Sequence, residues 1–233
     1  MQNIPVGLPT KIKALRQSPY FVDLSQSVLD LLAQGTHLRR YERGEIVCWQ
    51  GEPCTGLYMI RNGSVKLFKL SSKGRELIIK VFEEGATFNE VPVFDLGSNV
   101  VNVACLEESE IWIIDAAVIR QVIKEEPEIA QAAIQNLAVN LRMLIGKVEE
   151  LSFHQVTNRL ARLITQLTPD LLEGQVNPSI TQDQIAARLG TVREVVARSL
   201  RELERSGAIR VQRRQIRVID ENILRDWSQE PPN

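Results

Sequence analysis

Cysteine and histidine are scarce here: the chain of 233 residues has three cysteines (Cys48, Cys54 and Cys105) and two histidines (His37 and His154). There is no Cys-x-x-Cys pair, so the four well-spaced ligands of a structural metal site are not in view, and no metal is expected. An odd number of thiols suits a reducing cytosol. No apolar run approaches the roughly 20 residues of a membrane helix. The N-terminal stretch MQNIPVGLPTKIKALRQ lacks the apolar core and cleavage site of a signal peptide. A cytoplasmic protein with no membrane contact is therefore expected. Neither histidine stands beside a plausible nucleophile and no glycine loop cradles a phosphate, which argues against an enzyme.

Lysine is missing from one region altogether. Residues 181–219 hold nine arginines and four acids, a charge of +5, while the rest of the chain holds 19 bases and 25 acids. A net charge of −1 thus conceals a basic module on an acidic body, the electrostatic footprint of a nucleic-acid binder. An all-arginine module favours forked contacts to phosphate and guanine.

The chain divides into three segments of an α+β architecture. From Leu38 to about Ile114, short alternating strands with glycine turns predict a β-barrel or jelly roll. Within it, Asn62-Gly63 predicts a hairpin, because both residues tolerate positive φ. From Pro127 to Phe153 the spacing predicts one long helix. Ile134, Leu137, Leu141, Leu144, Val148 and Leu151 recur every three or four residues, an a/d seam that predicts a homodimer. The third segment opens with an amphipathic helix and continues through a loop, Pro169 to Pro178. The expected domains are 1–126 (strand-rich), 127–153 (dimerisation helix) and 154–233 (winged helix-turn-helix), with a hinge at Phe153 to Gln155.

Thr181-Gln182-Asp183-Gln184 and Thr191-Val192-Arg193-Glu194 both read as capping boxes. Gly190 between them suits a tight turn at positive φ. AIRVQRRQIRVID after Gly207 predicts a wing. At about 100° per residue, the second helix separates Arg193, Glu194, Arg198 and Arg201 from an apolar face of Val192, Val195, Val196, Leu200 and Leu203. Arginine can donate twice to guanine and glutamate can accept from cytosine, each pair discriminating by roughly 1–3 kcal/mol. Glu194 has a second reading as a helix cap, and Arg198 as an ion-pair partner of Glu194 or Glu202. Arg201, Thr181, Gln182, Thr191 and Arg213 are placed for backbone phosphates.

These motifs resemble the CRP/FNR family of bacterial transcription regulators over nearly the whole chain. GTVREVVARSLRELERSGAI resembles its recognition helix, LSFHQVTNRLARLI its hinge, and Gly44-Glu45, Gly51-Glu52, Gly63 and Gly85 its cyclic-nucleotide-binding roll. The resemblance implies a homodimer on double-stranded DNA with near-palindromic TGTGA-type half-sites, read by Arg193, Glu194 and Arg198. It further implies RNA polymerase as a partner if the protein activates, and a small-molecule effector held in the roll. Val192 and Val195 depart from the family's usual Ser and Thr.

The pocket departs further. Phe88-Asn89-Glu90-Val91 stands where the family has Phe/Ile-Gly-Glu. Ten residues beyond Glu90, after Asn99, Val100-Val101 replaces its Arg-Ser pair. Leu144 and Ile145 replace a polar pair facing adenine. A phosphate without its arginine is an unpaired charge costing several kcal/mol, so cyclic AMP is not the expected effector. Haem held by His37, Cys48 or His154, redox chemistry of Cys48 and Cys54, and activity without a ligand remain as alternatives. A cyclic-nucleotide-binding regulatory module with no DNA role is the rival class, and it leaves the arginine-rich helix unexplained.

Overall fold

In the computed structural model the described residues are 2–167, 180–212 and 215–229. The loop expected at Pro169 to Pro178, and Arg213, lie outside them. The chain forms two compact units, Met1–Lys69 with Ile79–Leu141, and Leu70–Ile78 with Arg142–Asn233.

The chain begins with β1 (Gln2–Ile4), α1 (Leu8–Leu15), α2 (Gln26–Gln34), β2 (Thr36–Tyr41), β3 (Ile46–Cys48) and β4 (Gly56–Asn62). β5 (Val65–Leu70), β6 (Glu76–Phe82), β7 (Thr87–Phe88), the short α3 (Glu90–Phe94), β8 (Asn102–Cys105), β9 (Ser109–Asp115) and α4 (Ala116–Val122) follow. The strands form two sheets, ordered β1-β2-β9-β4-β7 and β3-β8-β5-β6, which is the expected roll.

β9 shows why this region folds as strands. Ile111, Trp112, Ile113 and Ile114 are all buried, because both faces of the strand are covered. Ile111 and Ile113 join Tyr58, Val65 and Val103 between the sheets. Ile114 packs with Leu57, Leu29, Leu32 and Ile119 under the helices. Truncating any of these isoleucines to alanine would cost about 2–5 kcal/mol.

Asn62-Gly63 is not a hairpin. β4 pairs with β9 and β7, whereas β5 lies in the other sheet beside β8 and β6. Gly63, at φ 90, carries the chain from one sheet to the other. The dipeptide signals positive φ, and a sheet crossing uses it as readily as a hairpin does.

The helix α5 spans Pro127–Phe153, as the spacing predicts. Ile134 and Val148 are 68% and 63% exposed, and Leu141, Leu144 and Leu151 are exposed beside them. Leu137 is half-buried. Two residues separate the end of α5 from helix α6 (Val156–Leu167). It packs with α7 (Gln182–Leu189), α8 (Arg193–Arg205), the hairpin β10 (Ile209–Gln212) and β11 (Gln215–Val218), and α9 (Glu221–Ser228). Leu160, Ile164, Ile185, Val196, Leu200, Leu203, Ile216 and Leu224 form that core.

A Cβ on Gly63 would stand 2.7 Å from the Glu108 carbonyl oxygen, whereas one on Gly74, also at positive φ, would meet nothing within 4 Å. Gly74→Ala should therefore cost only the backbone strain of about 1–2 kcal/mol. Gly63→Ala should cost at least about 2 kcal/mol more through overpacking. Equal losses in urea denaturation would contradict this account of the corner.

Candidate DNA interface and effector pocket

Helix α7 starts on the expected capping box. Gln184 N donates to Thr181 Oγ1 at 3.2 Å and Thr181 N donates to Gln184 Oε1 at 2.9 Å. Its end is set by Gly190 at φ 63. The second capping box does not form. Val192, not Thr191, is the N-cap of α8 and offers no side-chain acceptor. The helix therefore starts one residue later than expected, and Glu194 sits in its first turn without capping it.

The faces of α8 divide as the angular argument predicts. Val196, Ser199, Leu200 and Leu203 are buried, while Arg193, Glu194, Arg198 and Arg201 are exposed. Val192, Val195 and Thr191 are half-buried. Glu202 is drawn away from Arg198 by Thr157 of α6, whose Oγ1 lies 2.8 Å from Glu202 Oε2 and 2.9 Å from Ser199 Oγ. Among the described residues Arg198 forms no ion pair with either glutamate. Arg193 Nη1 reaches Asp183 Oδ2 only at 3.9 Å between two well-exposed side chains, a contact worth little. Thr181, Gln182, Asp183 and Arg193 line one cleft of about 240 Å³, together with Val211 of the wing. The arrangement presents forked donors and one carboxylate on a solvent-facing helix, beside polar groups at the start of the preceding helix.

In the first unit Phe88, Asn89, Glu90 and Asn99 come together in the roll, buried. Val91 and Val100 are exposed, and Val101 packs on the inter-sheet core. Phe88 stacks on Tyr58 with centroids 5.0 Å apart. Asn89 takes the left-handed conformation, φ 75. Its Nδ2 donates to Gly56 O at 3.0 Å and to Asn99 Oδ1 at 3.2 Å. Asn99 Nδ2 in turn donates to Trp49 O.

Glu90 Oε1 accepts from Tyr20 OH and Thr87 Oγ1, both at 3.2 Å. The chain of donors continues outward: Asn136 Nδ2 donates to Tyr20 OH, Asn140 Nδ2 to Asn136 Oδ1, and Lys80 Nζ to Asn140 Oδ1. Arg120, the guanidinium whose charge reaches Cys54, donates to the carbonyls of Pro92 and Val93. The Asn89 amide and the Glu90 carboxyl are thus engaged within the roll, and positions 100 and 101 supply no cation.

Comparison with known proteins decides the family. The Cyclic nucleotide-binding domain family matches residues 38–126, and the Crp-like helix-turn-helix domain matches residues 158–227. The cAMP-activated global transcriptional regulator Vfr of Pseudomonas aeruginosa is 32% identical over 191 residues, covering 78% of this chain and 89% of Vfr. A CRP-like cAMP-activated global transcriptional regulator of Mycobacterium tuberculosis is 27% identical, covering 90% and 96%. The chain belongs to the CRP/FNR family. Among solved structures, a protein of this family from Eubacterium rectale superposes with a TM-score of 0.81 at 21% identity, over 92% of this chain and 100% of that one. The c-di-GMP-responsive regulator CLP of Xanthomonas campestris gives 0.70 at 21% identity, over 84% and 100%. The protein is a CRP-like DNA-binding transcription regulator, with a β-rich cyclic-nucleotide-type domain, a long helix and a C-terminal helix-turn-helix domain.

Leu144 and Ile145 are exposed on α5 in the second unit. Of the three residues weighed as haem ligands, Cys48 is buried. Burial pushes the Cys48 thiol up to about 12, which disfavours the thiolate that binds metal. His37 Nε2 faces Asp115 Oδ2 at 3.5 Å on a half-exposed strand, and His154 Nε2 lies 3.3 Å from Arg162 Nη2, which can only donate to it. Burial also raises Cys54 and pushes Cys105 up to about 11. Sequence reasoning missed Tyr20, Thr87, Asn136 and Lys80 as partners of the pocket, and Thr157 as a partner of α8. The spacing of Asn136 and Asn140, one turn apart on the seam helix, was a legible signal for the first group.

Burial holds the Glu90 carboxyl above its usual range, so the folded protein retains a proton that the unfolded chain releases above about pH 4.3. Stability from this group is present below that pH and is lost as the pH rises through the raised folded value. Glu90→Gln keeps an acceptor for Tyr20 and Thr87. It should match wild type in thermal melts at pH 4 and exceed it at pH 7.5; a variant equal to wild type at both would mean that no raised carboxyl contributes.

Proposed function

We propose that this regulator is a cytoplasmic homodimer that reads near-palindromic TGTGA-like half-sites through α8. Arg193 and Arg198 donate to guanines and Glu194 accepts from cytosine. Arg201, Thr181, Gln182, Thr191 and Arg213 hold phosphates and fix the register. The carrying observation is that Arg193, Glu194 and Arg198 share one exposed helix face while Glu202 is tied to Thr157. The exposed apolar seam of α5, Ile134 to Leu151, supports dimerisation through residues 127–153, between a sensing domain at 1–126 and a DNA-binding domain at 154–233. Half-sites of such a dimer lie about 34 Å apart. As an activator it would contact RNA polymerase.

The protein acts without cyclic AMP. The engaged Asn89 and Glu90, with Val100 and Val101 in place of a cation, support a roll that is either filled by its own side chains or open to an uncharged effector. A ligand shifts a conformational equilibrium only by its differential affinity for the two states, and a cyclic phosphate finds no charge partner here.

Two measurements test this reading. In a binding-site selection, Arg193→Ala should lose preference at one base pair per half-site, by about 1–3 kcal/mol; retention of wild-type specificity would remove the assignment. Calorimetry of the purified protein should give no heat with cyclic AMP at micromolar concentrations, and saturable binding there would overturn the account of the pocket.

A further inference from the structure

Lys80 stands at one end of the polar chain in the roll and Glu90 at the other. An ammonium can only donate, so the Asn140 atom facing Lys80 Nζ at 3.3 Å must be its oxygen. The Asn140 amide nitrogen then has to donate to Asn136 Oδ1, at 3.1 Å, and the Asn136 nitrogen to the Tyr20 oxygen. The Tyr20 proton is left for Glu90 Oε1, 3.2 Å away. Every bond thus points the same way, from a cation on β6 through α5 to a carboxyl at the start of α3. An ionised carboxylate, which only accepts, is the terminus that this polarity calls for.

The same carboxyl is poised between two charge states. It is 7% exposed. Burial, the largest effect, favours the neutral form, while the Glu90 backbone N–H, Thr87, Tyr20 and the Lys80 charge favour the ionised one. Among the described residues the charged side chain acting on Glu90 is that of Lys80, and the titratable one is that of Tyr20. Tyr20, on the connection between α1 and α2, remains a donor, because burial and the Glu90 charge hold its hydroxyl above its ordinary range. Arg120 of α4 is turned to the carbonyls of Pro92 and Val93 instead. A bond to an ionised acceptor is about twice as strong as one to a neutral acceptor, and bonds in a chain strengthen one another.

We infer that Lys80, Asn140, Asn136, Tyr20 and Glu90 form a proton-controlled tie between the roll and α5, tightened along its length when Glu90 is ionised and slackened when it takes up a proton. Ionisation costs the fold as a whole, because the charge is buried, yet it strengthens this one connection. The helix that is gripped also carries the exposed Ile134 and Leu141 of the apolar seam, so the roll responds to acidity on the element that bears that seam. All five residues lie in the first unit, and the inference does not depend on the half-site reading.

The test follows the side-chain amide protons of Asn136 and Asn140, and the carboxyl carbon of Glu90, by NMR of the full chain labelled at asparagine and glutamate. The titration runs from about pH 4 to about pH 8, across the ordinary carboxyl range and the region above it. As the pH falls, the bonded Asn136 proton should move upfield with the same midpoint as the Glu90 carbon, and that of Asn140 by less. E90Q should hold both in place. Tyr20→Phe, which removes the middle link, should uncouple both asparagines while Glu90 still titrates. Lys80→Met should move the midpoint upward, since a charge that favours the carboxylate is lost. The three variants break the chain at separate points, so a loss of fold in one leaves the others to decide. Asparagine signals that stay still in the wild type while Glu90 titrates would overturn the inference. Signals that still move in E90Q, or an unchanged midpoint in K80M, would overturn it equally.

Discussion

Thr157, Ser199 and Glu202 form a short polar chain between α6 and α8, with the two hydroxyl residues buried in an otherwise apolar core. A threonine hydroxyl has one proton, so if Thr157 donates to the Glu202 carboxylate it accepts from Ser199. Removing one member would strand a buried polar group at about 1–3 kcal/mol. This chain, with Val196, Leu200 and Leu203, fixes the rotation of α8 about its axis. Once that face is committed, the 100° step of the helix sends Arg193, Glu194 and Arg198 outward. Arg159 adds a second tie, donating from Nη1 to the Leu189 carbonyl at the end of α7. The direction of these exposed residues is thus a consequence of what their helix buries.

The roll solves the opposite problem. Its polar interior groups are turned on one another: Asn89 on Gly56 and Asn99, Glu90 on Tyr20 and Thr87. Buried polar groups that satisfy each other rigidify a core, and an incoming ligand must match the bonds it displaces. The helix-turn-helix leaves its charges uncommitted at the surface, where a charged partner can reach them. One chain therefore holds polar groups paired with one another inside the roll and polar groups turned outward on α8.

Much of this was legible in the sequence because the signals were periodic. The 27 residues of α5, the Thr181 capping box, Gly190 and the two faces of α8 follow from spacing alone. Asn62-Gly63 was misread because positive φ is a local property, whereas the choice between a hairpin and a sheet crossing depends on β8 and β9, some 40 residues later. The start of α8 was misplaced by one residue because Thr191 satisfies the capping pattern, but its backbone N–H closes the turn around Gly190 by donating to Ala186. The Glu90–Tyr20 contact joins residues 70 apart, and no local pattern encodes such a pairing. Val100 and Val101 were readable as a missing cation. That Asn89 would be engaged internally was not.

The apolar N-cap of α8 has one more consequence. Val192 contributes its carbonyl to the first turn, accepting from Val195 and Val196, but provides no side-chain acceptor for the opening N–H groups. A Ser or Asp there would typically add about 1 kcal/mol to the isolated helix. The positive end of the helix dipole has Glu194 as the acid of its first turn, but no side chain that closes the opening N–H groups. An anion placed there would act as the cap, and part of the helix's own stability would become available as binding energy. The segment that recognises DNA is in this sense left unfinished by its sequence, and its first turn is most firmly formed when something negative rests against it.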